Sequence, residues 1–224
     1  MPTLPQETSW ASEPLAKYQG MCLTLPILKG HILAQHHFQP QATHSILLAT
    51  FPKSGTTWFN ALLFSIINRN LLEFSILCSP PIPMTAFPWS FWDQVLGYWN
   101  AGLESPNRVL FMSYERTMKE PLVCVKMLAE FLGQSFSLEE EKSRVIEETV
   151  KLCSFENLSN LEVNKTSLTQ FGPEITLEND VLFRKGQAGD WESHLTGEMI
   201  ERLDQITEQK FKGTGLMNSM ISNN

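Results

Sequence analysis

The sequence predicts an α/β fold, and three observations carry that expectation. Residues 46–50, ILLAT, are apolar on both faces, as a buried parallel strand is. They run into a short polar loop, and Thr56 to Arg69 then repeats apolar residues at helical spacing. A second strand-like run, RVLFMSYE at 108–115, lies between two helical patterns. A doubly wound sheet normally has about four or more strands. Only two are legible here, fewer than a parallel sheet flanked by helices needs.

Taken in order, residues 1–20 read as a loose arm. LPILKGHILAQHHF at 25–38 reads as strand or short helix, its period being ambiguous. In the helix from Thr56, the expected buried stripe is Trp58, Leu62, Leu63, Ile66 and Ile67. Residues 70–90 are apolar, proline-rich and aperiodic. Phe91 to Glu104 reads as a helix and SPN as a turn. KEPLVCVKMLAEFLG follows, with Pro121 in a first turn and Gly133 at a C-terminus. Ser137 and Glu140 form a capping box for a helix reaching about Leu152. SFENLSN predicts a short helix into a loop. Thr196 is a candidate cap for a last helix through Phe211, with Met199, Leu203 and Ile206 inward and Gly213 ending it. All 224 residues are expected to form one domain, with 70–90 as an atypical Pro-rich segment.

The bulk numbers exclude some functions. With 17 Lys and Arg against 24 Asp and Glu, the net charge is −7. General attraction to nucleic acid or to an anionic membrane is not expected, so any anion must be held by local geometry. The four cysteines are scattered with no CxxC pair, which predicts neither a disulfide framework nor a zinc site and suits a reducing compartment. The N-terminal residues have no apolar core or basic flank, so no secretory signal is expected. Residues 74–92 carry no charge, but Pro80, Pro81, Pro83 and Pro88 argue against a membrane span.

The loop PKSGTTW is the chemical signal. A tight turn feeding a helix aims several free N–H groups at one point, where the helix dipole adds partial positive charge. Gly55 lets the backbone come close to a ligand; Ser54, Thr56 and Thr57 offer hydroxyls, and Lys53 adds a mobile full charge. The bland reading is a turn before an N-capped helix. The loop is not G-x-x-x-x-G-K-[ST], because Lys53 precedes the only Gly. No apolar strand ends in an Asp that would hold magnesium. A metal-free site suits a singly charged sulfuryl group better than a γ-phosphate.

These blocks resemble the cytosolic sulfotransferases of plant type. The matching stretches are FPKSGTTWFNALLF, FWDQVLGYW, RVLFMSYERTMKEP, KLCSFENLSNLEVNK and FRKGQAGDWESHLTGEMIERLD. The resemblance implies a P-loop-like α/β fold, a cytoplasmic setting and 3′-phosphoadenylyl sulfate (PAPS) as donor, with no metal. It implies sulfuryl transfer to a hydroxyl of a small-molecule acceptor, with neither nucleic acid nor membrane as partner. Lys53, Ser54, Gly55, Thr56, Thr57 and Trp58 would then hold the 5′-phosphosulfate and adenine. Lys53 would be catalytic, stabilising charge on the bridging oxygen. Tyr114 would hydrogen-bond the base, and Arg184, Lys185 and Gly186 would grip the 3′-phosphate. Read without the resemblance, Tyr114 is an ordinary strand-end tyrosine and RKG a solvated basic turn.

The chain also departs from that family. Family members carry two further strands between the first helix and FWDQVLGYW, one followed by T-H-x-P with the general-base His, the other leading into C-R-N-P-K-D. Here the chain passes from Asn70 to Phe91 without them. None of His31, His36, His37, His44 and His194 stands in the equivalent place. The alternatives are therefore a catalytically impaired PAPS- or PAP-binding pseudoenzyme, or an unstable truncated product. FPWSFWDQVLGYW either lines an aromatic acceptor pocket or is buried packing.

Overall fold

The structure is a computed structural model. It describes residues 6–7, 15–18, 21–37, 46–51, 54–69, 91–171 and 175–221. The segment 70–90 and Lys53 fall outside them.

The N-terminal region departs from the loose arm expected of it. Three short strands, β1 (Gln6–Glu7), β2 (Leu15–Tyr18) and β3 (Met21–Thr24), form an antiparallel sheet in that order. Lys17 pairs with Cys22 and Tyr18 with Met21. The ambiguous segment after them is helix α1 (Leu25–His37). Pro26 is no obstacle there, since the first helical turn makes no use of its missing N–H.

The helix from the loop, α2 (Thr56–Asn68), is the centre of the core. Its Phe59, Ala61, Leu62 and Ile66 are buried against Val125, Leu128 and Ala129 of α5 (Pro121–Phe131). Ile146 and Cys153 of α7 (Val145–Leu152) and its C-cap, and Leu158 of α8 (Phe155–Asn160), close the cluster. Of the expected stripe, Leu62 and Ile66 are buried and Trp58 and Leu63 pack against the core, whereas Ile67 is 41% exposed and Ser65, whose hydroxyl meets the Cys153 thiol at 3.3 Å, is inside. Small Ala61 and Ser65 let α5 and α7 approach, which a period count cannot foresee.

Neither expected strand is a strand. Residues 46–51 and 109–113 have no regular secondary structure, and the described sheets are all antiparallel and lie elsewhere. Leu48, Leu110 and Met112 nevertheless pack against the core. The burial expected of 46–50 holds only in part, because Ile46 and Leu47 are 53% and 64% exposed. A strand, however, exists only by pairing, and neither segment has a described partner. Tyr114, expected at a strand end, instead opens α4 (Tyr114–Lys119), which Ser113 caps by accepting from the Arg116 N–H.

Local signals fared better. Helix α3 spans Phe91–Glu104 as its pattern predicts. Pro121 stands at the start of α5, and Gly133 follows it with φ +67. The capping box is complete at α6 (Leu138–Lys142), with Ser137 Oγ accepting from Glu140 N and Glu140 Oε2 accepting from Ser137 N. The helix expected to run on to Leu152 breaks at Arg144, whose φ is 60. That kink leaves α6 on the surface and turns Ile146 and Thr149 of α7 inward.

Beyond α8 come α9 (Glu162–Thr166) and a hairpin, β4 (Leu168–Phe171) with β5 (Ile175–Glu178), which the sequence did not announce. Helix α10 (Gly197–Phe211) starts on Thr196, as expected, and is followed by α11 (Leu216–Ile221). Its inward face was misjudged: Met199 is 53% and Leu203 41% exposed, and Phe211 is the buried residue. The aromatics of α3 explain how α10 docks. Trp92 Nε1 donates to Thr207 Oγ1 at 2.9 Å and Trp99 Nε1 to the Thr214 carbonyl at 3.0 Å. The N–H donors of both indoles are thereby satisfied, and Phe87 and Trp89 of the same aromatic stretch lie outside the described residues.

Candidate functional site

The loop ahead of α2 is built by its own short contacts. Ser54 N–H and Oγ–H both donate to the Phe51 carbonyl, at 3.2 and 2.5 Å, which closes the turn. Thr50 and Thr56 hydroxyls meet at 2.5 Å across it. Gly55 has φ +89, a left-handed conformation in which L side chains are strained. It is the N-cap residue of α2, and no side chain caps the helix. The first backbone bond of the helix is Phe59 N–H to Gly55 O, at 2.9 Å. The N–H groups of Thr56, Thr57 and Trp58 therefore have no partner within the helix. An uncapped N-terminus of this kind combines free donors with the positive end of the dipole.

Two aromatic rings stand beside the turn. A Cβ added at Gly55 would lie 2.6 Å from Tyr114 Cδ2, so glycine is required for shape as well as for backbone angle. Trp58 and Tyr114 meet edge to face with centroids 5.7 Å apart. Burial, and then the neighbouring Glu115, push the Tyr114 hydroxyl above its ordinary range, so it stays a neutral donor. The structure thus brings Ser54, Gly55, Thr56, Thr57, Trp58 and Tyr114 into one place, although they come from blocks 56 residues apart at Trp58 and Tyr114. Phe51 meets Phe91 edge to face with centroids 5.1 Å apart, tying the loop to the start of α3.

The RKG triplet forms a second centre. Arg184 Nη2 lies 2.8 Å from Asp190 Oδ2, and Lys185 Nζ donates to Asp190 Oδ1. His194 Nε2 is 3.6 Å from Oδ2. The hydrogen bond from Lys185, helped by the charges of Arg184, Lys185 and His194, holds the Asp190 carboxyl below the usual range despite its burial. Gly186 has φ +61, and a Cβ there would fall 2.2 Å from Phe155 Cδ2. Phe155 in turn meets Phe183 at 6.1 Å. Both centres are footed on the same core, since Trp58 and Phe183 pack against it. No described contact joins Arg184, Lys185 or Gly186 directly to the loop. Sequence reasoning missed Asp190 and Phe155. The only signal was the GDW triplet, noted for its spacing from RKG rather than for its carboxylate.

His36 is exposed on α1, and His194 is engaged at Asp190. Among the described residues no group of three or more His, Cys, Asp or Glu could hold a metal, and no helix is long and apolar enough to cross a membrane.

Comparison with known proteins bears on these centres. The profile of the sulfotransferase domain matches residues 84–215. A flavonol sulfotransferase-like protein of Flaveria bidentis is 32% identical over 305 aligned positions, covering 96% of this chain and 97% of that one. Cytosolic sulfotransferase 17 of Arabidopsis thaliana is 31% identical over 307, covering 97% and 88%. An Arabidopsis thaliana protein provisionally named a steroid sulphotransferase has a similar crystal structure: TM-score 0.62, 26% identity, covering 95% of this chain and 92% of that one. An alignment of 305 positions against 224 residues leaves at least 81 positions of the Flaveria protein without a counterpart here. With that shortening, the chain belongs to the sulfotransferase family of the plant cytosolic type, enzymes that move a sulfuryl group onto small-molecule hydroxyls.

Proposed function

We propose that this chain binds PAPS, and its desulfated product adenosine 3′,5′-bisphosphate, between the loop at Gly55 and the basic triplet at Arg184–Gly186. The observation that carries the reading is the uncapped start of α2, where Gly55 at φ +89 sits under the Tyr114 ring beside Trp58. Free N–H groups suit a phosphosulfate, and adjoining aromatic faces suit a purine. Arg184 and Lys185 offer the charge-assisted donors that a 3′-phosphate takes. When bound, the donor supplies an activated sulfuryl group. Lys53, two residues before Gly55, is the cation assigned to stabilise charge on the departing oxygen. The acceptor is a small hydroxyl-bearing molecule, and the flavonol sulfotransferases among the relatives make a phenolic hydroxyl the first class to test. The finer fold assignment, a P-loop-like parallel sheet missing central strands between Asn70 and Phe91, belongs to the same proposal. The shortfall of at least 81 positions supports it, as does a family match beginning at residue 84.

A second reading, nucleotide binding with little turnover, is favoured by one observation: the described histidines stand on α1 and at Asp190 rather than at the loop. Losing a general base lowers rate by roughly 10²- to 10⁴-fold. Calorimetric titration with adenosine 3′,5′-bisphosphate tests the binding that both readings share. Saturable heat is expected, and Lys53→Ala should remove most of it. Equal affinity in the two proteins contradicts the assignment of Lys53. A donor-dependent assay with a phenolic acceptor then separates the two readings.

A further inference from the structure

We propose that Asp190 is a positioning residue for the anion clamp: its buried carboxylate holds the Arg184 and Lys185 heads side by side, facing outward, so that together they select a 3′-phosphorylated nucleotide. The proposal rests on the reading of Arg184 and Lys185 as the 3′-phosphate grip.

The geometry separates anchor from clamp. The Asp190 side chain is 6% exposed, whereas Arg184 and Lys185 are 61% and 53% exposed. Oδ1 accepts from the Lys185 ammonium, while Oδ2 faces the Arg184 guanidinium at 2.8 Å as an ion pair, with His194 Nε2 further off at 3.6 Å. A guanidinium has five N–H donors and an ammonium three, so each head keeps donors for a ligand. Two adjacent cations on flexible stems repel each other and are otherwise free to splay. A single anion bridging them removes both effects before any ligand arrives. Backbone structure fixes that anion: Gly189 at φ +81 turns the chain into a short 3-10 turn at Asp190–Ser193, and Ser193 Oγ donates to the Asp190 carbonyl at 2.9 Å.

The same contacts allow an opposite role, in which Asp190 occupies the clamp and competes with the ligand. The backbone argues against it: Asp190 is held in its own 3-10 turn with both oxygens turned to the two cations, whereas the two half-exposed heads can use their remaining donors without leaving it. The cluster of Arg184, Lys185 and Asp190 also keeps a net positive charge, which a phosphate dianion requires.

The test is the ratio of affinities for adenosine 3′,5′-bisphosphate and 5′-AMP, measured by calorimetry on the full chain. Wild type should prefer the bisphosphate. Asp190→Asn removes the charge while keeping the shape. It should cut that preference at least tenfold, with 5′-AMP affinity unchanged because the loop alone meets that nucleotide. An unchanged preference overturns the proposal, and so does an increased one, which would make Asp190 a competitor. If Asp190→Asn does not fold, Asp190→Glu decides, since it keeps the charge but displaces the anchor: a reduced preference supports positioning and an unaltered one refutes it. Failure of the underlying reading looks different. Wild type then shows no preference, or Arg184→Ala and Lys185→Ala retain it, and the proposal falls with it.

Discussion

One carbon added at Gly55 has two consequences, which makes it the sharpest probe at the scale of single residues. An alanine there sits in the left-handed region at a cost of about 1–2 kcal/mol, and its Cβ runs into the Tyr114 ring at 2.6 Å. Gly55→Ala should therefore lower stability in a urea titration by at least that amount and weaken adenosine 3′,5′-bisphosphate binding more than tenfold. Stability and binding both unchanged would mean that the turn is not built as described. Arg69 is a structural counterpart. Its guanidinium is 5% exposed, donates to Glu140, to the Ile66 carbonyl and to the Ser135 carbonyl, and lies 4.5 Å over the Phe136 ring. Arg69→Met keeps the stem and deletes the donors. A loss of about 2–3 kcal/mol in chemical denaturation is expected from the charge-assisted bonds removed. Neither role was legible in the sequence: Gly55 was noted for ligand approach rather than for Tyr114, and Arg69 was read only as a helix end. Contacts between residues as far apart as Arg69 and Glu140 follow from packing, not from local pattern.

Helix ends were the legible part at the scale of elements. Ser137 with Glu140, Thr196 before Met199, and Pro121 at a first turn are short-range hydrogen-bond devices written in neighbouring letters. Strands and buried faces were not, because each is defined by what lies opposite. Residues 46–50 have strand character without a described partner, and α10 carries Met199 and Leu203 outward. The capping box links this scale to pH. Glu140 is held below its ordinary range first by the hydrogen bond from Arg69 and then by the Ser137 N–H. A carboxyl whose folded pKa is depressed stabilises the fold above its unfolded pKa, and that contribution disappears as pH falls through the folded value. Glu140→Gln should therefore be less stable than wild type near neutrality, with the difference shrinking as pH drops below the carboxylate range. A difference constant with pH in denaturant melts would rule out the ionic contribution. Between α3 and α10, Thr207→Val should cost about 1–2 kcal/mol by leaving the Trp92 N–H without its acceptor, measurable as a lowered urea midpoint.

The whole molecule is a family member with part of the family's length absent: at least 81 positions of the Flaveria relative have no counterpart. Sequence blocks carried that conclusion because phosphate-type loops and basic triplets are local. They could not say how the remaining elements would close around the gap. The core found is largely helical, α2 against α5, α7 and α8, with the two loop-bearing segments laid on it as irregular chain. If the proposed reading without a general-base histidine at the loop holds, transfer from labelled donor to a phenolic acceptor should be at least about 10²-fold slower than in a full-length relative. A rate equal to the relative's would show that another group takes the proton.

All of this depends on the start of α2 being the anion cradle. Amide chemical shifts of isotope-labelled protein, followed through a titration with adenosine 3′,5′-bisphosphate, test it directly. The N–H signals of Gly55, Thr56, Thr57 and Trp58 should move furthest and saturate together. Saturating shifts confined to other parts of the chain, with those four amides unmoved, would contradict the account.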